Sequence, residues 1–128
     1  MQTVLQRLVL RKSELDSSPV LKGRQRAAFP PNYIHTLDAT HMMMTASACA
    51  AQGVTFAGVH DSFWTHAATM DELQATLRQC FVDLHSQPLL ENLAAELTAQ
   101  HPGVELPPLP PQGSLDVRLV RHSPYFFS

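Results

Sequence analysis

The chain has 128 residues, 45% apolar and 16% charged, with a formal charge of −2. That size and balance fit about one domain, able to bury roughly two-thirds of its unfolded surface. No apolar run approaches the ~18 residues a membrane span needs, and Cys49 and Cys80, lacking CxxC spacing, point to a reduced thiol pair rather than a disulfide framework or a zinc site.

Global charge decides nothing about nucleic acid. The basic residues gather at or before Arg26 and at Arg118 and Arg121, so local patches would carry any such affinity. Arg7, Arg11 and Lys12 among Leu and Val suggest an organelle presequence, while the alternation Val4, Leu8, Leu10 reads equally well as the end of a strand.

Residues 1–28 read as an irregular basic segment, with Ser17-Ser18-Pro19 and Lys22-Gly23-Arg24-Gln25-Arg26 forming a loop before Phe29. Pro30-Pro31 then predicts an extended approach, because proline disfavours the helical conformation in the residue before it. A helix is expected from Ile34 to Ala51, where Leu37, His41, Met44 and Ala48 recur at helical spacing. Thr36 or Asp38 is its expected N-cap, and Gly53 its end.

A β-hairpin follows over about Thr55 to Ala67. A second helix opens near Thr69, with Asp71 and Glu72 favourable to its dipole and Leu73, Leu77, Cys80, Phe81 and Leu84 as its buried stripe. Pro88 interrupts the pattern and restarts it as a third helix, Leu89 to Ala99, since proline is tolerated in a first turn but not in a helix interior. His101 to Gly113 holds five of the ten prolines and reads as an extended, polyproline-like linker. A short amphipathic turn at Leu115 to Val120 and the aromatic end Tyr125-Phe126-Phe127 close the chain.

The fold expected is α+β: long helices packed on a hairpin, a Pro-rich linker and an aromatic tail. By segment this gives 1–28 irregular, 29–100 helices and hairpin, 101–113 linker, 114–128 tail. Faces such as Met42, Met43 and Leu90 should stay exposed, with weak stability or self-association as the consequence.

Two constellations carry chemistry. In Val59-His60-Asp61-Ser62-Phe63-Trp64-Thr65-His66 a single carboxylate sits where two strands meet. Asp suits turns for its own backbone bonding, but a turn that only reversed the chain would normally use Asn-Gly or another glycine-containing pair. In Asn32-Tyr33-Ile34-His35-Thr36-Leu37-Asp38-Ala39-Thr40-His41, the residues His35, Asp38 and His41 lie three apart near a helix start. His41 reads first as a packed core histidine. His35, at a helix mouth where orphan amides attract anions, has a functional reading of equal weight.

The blocks Phe29-Pro30-Pro31-Asn32-Tyr33-Ile34-His35-Thr36-Leu37-Asp38, His41-Met42-Met43-Met44-Thr45-Ala46, His60-Asp61-Ser62-Phe63-Trp64-Thr65-His66 and Ser123-Pro124-Tyr125-Phe126-Phe127-Ser128 closely resemble, in order over about residues 24–128, the carboxyl-terminal palm of single-subunit, phage-type DNA-directed RNA polymerases. The wording is closest to the organellar branch of mitochondria and plastids. Residues 1–23 match only loosely.

The resemblance implies that Asp61 is one of two carboxylates holding a catalytic Mg²⁺ pair about 4 Å apart, ions that activate the primer hydroxyl and stabilise the leaving group. It implies that His35 lies near the incoming nucleotide and senses the ribose 2′-hydroxyl, which an imidazole can do as donor or acceptor. His60, beside the acid, is assigned to substrate. Phe127 and the Ser128 carboxylate would support the active site. The implied partners are DNA template, RNA transcript, nucleoside triphosphates, the remainder of a polymerase and transcription factors, with no membrane.

The family also uses a first metal-binding aspartate and a fingers lysine and tyrosine, none of which is matched here. The chain is therefore expected to be a fragment, a truncated product or an incomplete gene model, inactive alone. The competing class is a non-catalytic nucleic-acid-binding or interaction module derived from the palm. A hydrolase using Ser62 is disfavoured, because no G-x-S-x-G elbow surrounds it.

Overall fold

A computed structural model describes residues 19–59 and 61–126. It is α+β, with three α-helices and a two-stranded antiparallel sheet among the described residues. The chain divides into two units, Met1–Ile34 and His35–Ser128.

Helix α1 spans Lys22–Gln52 and contains Pro30 and Pro31. The expected loop at 22–26 and the extended approach at the prolines are therefore both corrected, as is an N-cap at Thr36 or Asp38. Lys, Arg, Gln and Ala around the prolines are good helix formers, and proline's fixed φ near −65° is itself a helical value. What proline takes away is an amide donor and clearance for the carbonyl four residues back. In the first unit the rings of Phe29 and Tyr33 stack at 6.3 Å, one helical turn apart.

The second unit carries the core. On α1 the buried residues His41, Thr45 and Cys49 recur every fourth position, so one stripe faces inward. Helix α2, Met70–His85, opposes it with Leu73, Thr76, Leu77, Cys80, Val82 and Leu84 buried. Cys49, Val54, Leu73 and Leu77 form one cluster, against which Phe56, Phe63 and Phe126 pack. Burying a leucine contributes about 1.5–3 kcal/mol, so Leu73 and Leu77 are substantial contributors to this cluster.

Gly53 ends α1 with φ of +71°, a left-handed conformation that glycine adopts without steric cost. Strands β1, Ala57–Val59, and β2, Ser62–Trp64, then pair antiparallel with Val59 opposite Ser62. At its open end the Thr65 hydroxyl donates to the Thr55 carbonyl at 2.6 Å and lies 2.8 Å from the Thr69 hydroxyl. The hairpin is thereby tied to the turn Ala67–Thr69 that leads into α2.

Helix α3, Leu89–Gln100, begins after Pro88 as expected, and none of its residues is buried. Residues 104–116 carry no helix or strand. A 3₁₀ helix, Val117–His122, follows, with the Asp116 carboxylate accepting from the Arg118 amide at 3.0 Å. No helix among the described residues is long and apolar enough to cross a membrane. Of the side chains expected on exposed faces, Met43 and Leu90 are so, at 61% and 43% exposure, whereas Met42 is half-buried.

Candidate active site

The register, with Val59 opposite Ser62, leaves Asp61 on the tight connection between β1 and β2. Asp61 is exposed, so its carboxylate is delivered to solvent by a short ladder. The hairpin is seated by its inner face: Phe56 and Phe63 lie 5.5 Å apart, and both rings come within 3.4 Å of where a Cβ on Gly58 would stand.

On α1, His35, Asp38, Ala39 and Met42 recur at helical spacing and share a cavity of about 670 Å³ with His41, Asp61 and Phe63. Two constellations far apart in sequence thus line one cleft. His35 and Asp38 are both largely exposed, with Nδ1 to Oδ2 at 3.9 Å. That is ion-pair distance but beyond hydrogen-bond reach, and such surface pairs contribute little.

His35 does not stand at a helix mouth. It lies thirteen residues into α1, which starts at Lys22, so the amides around it belong to the helical ladder and no helix end is there to attract an anion. What remains is an exposed imidazole on the cleft that Asp61 also lines. His41 is the packed core histidine: 6% exposed, its Nε2 donates to the Leu77 carbonyl at 2.9 Å and joins α1 to α2. The Thr45 hydroxyl donates in turn to the His41 carbonyl. His60, Phe127 and Ser128 lie outside the described residues.

Cys49 and Cys80 are buried free thiols. Burial pushes Cys49 up, with the charge of Cys80 adding to it. Burial also raises Cys80, opposed by a hydrogen bond from Thr45 and aided by Asp83.

A magnesium ion demands a near-octahedral set of hard oxygen donors. Asp61 is one such donor, and Asp38 lines the same cavity, but the described residues contain no group of three or more His, Cys, Asp or Glu able to hold a metal. They do not make a complete Mg²⁺ site.

Sequence reasoning missed Arg78 and Phe126, whose contacts appear only in three dimensions. Arg78 donates to the carbonyls of Val120 and Ser123, and Phe126 packs on the core cluster. The one available signal was that Arg78 is the sole Lys or Arg between Arg26 and Arg118.

A sequence model of the family described as DNA-dependent RNA polymerase matches residues 1–105. The chain belongs to that family. It is 54% identical over 127 residues to "DNA-directed RNA polymerase 2, chloroplastic/mitochondrial" of Arabidopsis thaliana, covering 99% of this chain and 12% of that protein. It is 49% identical over 127 residues to "DNA-directed RNA polymerase 1A" of Nicotiana tabacum, with 99% and 80% covered, and 50% identical to "DNA-directed RNA polymerase 3B, chloroplastic" of the same plant, with 99% and 13% covered. The chain thus spans about an eighth of the length of the longer relatives. The similarity also reaches through residues 1–23, which the motifs matched only loosely.

Proposed function

We propose that this chain contributes one of the two carboxylates of a two-metal nucleotidyl-transfer site to template-directed RNA synthesis in a mitochondrion or plastid. The observation that carries this reading is Asp61, set on a tight turn and lining the same cleft as His35, in a chain of the polymerase family. Relatives named as mitochondrial or chloroplastic enzymes support the compartment.

Asp61 would be one hard ligand for Mg²⁺, the remaining ligands coming from outside the described residues. Bound there, the metal would supply charge stabilisation to the transferring phosphoryl group. The chain's own contribution is positional. The hairpin fixes where the Asp61 carboxylate stands, and α1 holds His35 at the wall of the cleft, where its imidazole can donate to or accept from a ribose hydroxyl. His60 is assigned to substrate from its place beside the acid in the sequence, and Phe127 and Ser128 to support of the site. DNA template, RNA transcript and nucleoside triphosphates are the partners this reading requires. Residues 29–100 would be the working palm-like segment, and 101–128 a linker and tail.

The test replaces the matching 127-residue segment of the Arabidopsis polymerase with this chain and measures nucleotide incorporation. The chimera is expected to synthesise RNA, and Asp61→Asn to abolish synthesis while sparing promoter binding. The isolated chain is expected to incorporate nothing. If Asp61→Asn leaves synthesis intact, the carboxylate is no metal ligand, and a palm-derived binding module without catalysis becomes the better reading.

A further inference from the structure

The C-terminal segment is fastened to α2 through one side chain. Nη1 of Arg78 donates to the carbonyl of Val120 and to that of Ser123, both at 2.7 Å, at the end of the helix Val117–His122. Its guanidinium carbon stands 5.3 Å from the centroid of the Phe126 ring, within range of a cation–π contact. Charge-assisted bonds of this length are stronger than neutral ones.

Phe126 then begins a chain of rings. It meets Phe81 edge-on at 5.0 Å. Phe81 is stacked on His85 at 4.0 Å, whose Nδ1 donates to the Phe81 carbonyl at 3.0 Å. Phe81 meets His41 edge-on at 5.6 Å, and His41 meets Phe63 at 6.5 Å. His41 and Phe63 are walls of the cleft that Asp61 lines. His41 is the buried member of this series, and the half-buried rings of Phe81, Phe63 and Phe126 lean on one another around it, so a displaced ring shifts its neighbour.

We infer that Arg78 is a positioning residue: it seats the C-terminal segment so that Phe126 braces Phe81, and through Phe81 the His41 and Phe63 wall beside Asp61. Arg78 itself is not among the residues that line that cleft. The inference rests on the reading of that cleft as the polymerase site, and its test separates the two.

The first readout is the ring resonances of His41 and Phe63 by NMR in the 128-residue chain. Arg78→Ala and Phe126→Leu are expected to displace the His41 signals in the same direction, with Arg78→Lys between them and wild type, because a lysine ammonium lacks the planar fork and stacks less well. The methyls of Val82 and Leu84, buried on α2 but outside the ring series, should stay in place. Should Arg78→Ala fail to fold, Arg78→Lys and Phe126→Leu carry the test, since they keep the charge or the apolar bulk. Unmoved His41 signals, or a shift spread equally over Val82 and Leu84, overturn the inference.

The second readout is the chimera. Arg78→Ala is expected to lower kcat about tenfold through misplacement with KM for nucleotide little changed, and Arg78→Lys to restore part of it. A chimera whose Asp61→Asn form stays active sinks the polymerase reading and leaves the His41 shifts to decide the bracing. One that Asp61→Asn kills while Arg78→Ala leaves kcat and His41 untouched sinks the bracing alone.

Discussion

At Cys49 and Cys80, burial sets both packing and chemistry. Each thiol sits above the ordinary value of 9.0, chiefly because burial penalises the thiolate. At neutral pH the folded and unfolded chains both hold these protons, so no stability depends on them there. As pH climbs through the unfolded value, the unfolded chain releases protons first and the folded state loses stability. Chemical denaturation across pH 7 to 10.5 should show the midpoint falling on the alkaline side, and Cys49→Ala with Cys80→Ala should flatten that limb. A thiol reagent at pH 8 is expected to react slowly with native chain and rapidly in denaturant. His41 belongs to the same scale: an imidazole at helical spacing reads as core from its pattern, but its bond to the Leu77 carbonyl, 36 positions away, exists only once α2 is placed.

Among the elements, periodicity made the second and third helices legible, because apolar residues every third or fourth position have few other arrangements. The hairpin was legible from its β-branched and aromatic residues, although its strands are only three residues each. The start of α1 was not legible. Pro30-Pro31 is a strong local stop signal, yet the helix runs through it from Lys22, and that local misreading put His35 at a helix end. Each proline in a helix interior costs about 3 kcal/mol relative to alanine. Changing Pro30 and Pro31 to Ala should deepen the 222 nm ellipticity and lower the protease sensitivity of residues 22–34. Unchanged ellipticity would mean that the two prolines already sit where the ladder is not needed.

For the whole molecule, the candidate site was half legible. Motif residues named Asp61 and His35, but that they line one cleft follows from the way α1 and the hairpin share the core of Phe63, His41 and Leu77. The bracing of that cleft was illegible, since it depends on Arg78 reaching residues 42 and 45 positions further along the chain.

The stretch 104–116, with neither helix nor strand, links α3 to a segment held in place by Arg78 and Phe126. Covalent continuity is then a matter of local concentration, which a free peptide can replace at sufficient excess. A chain ending at Gln112 should accept a synthetic peptide of residues 113–128 in trans and recover the wild-type His41 resonances, and the Arg78→Ala form should not. The tail would thus be an exchangeable part, open to chemical synthesis with unnatural rings in place of Phe126, one substitution at a time.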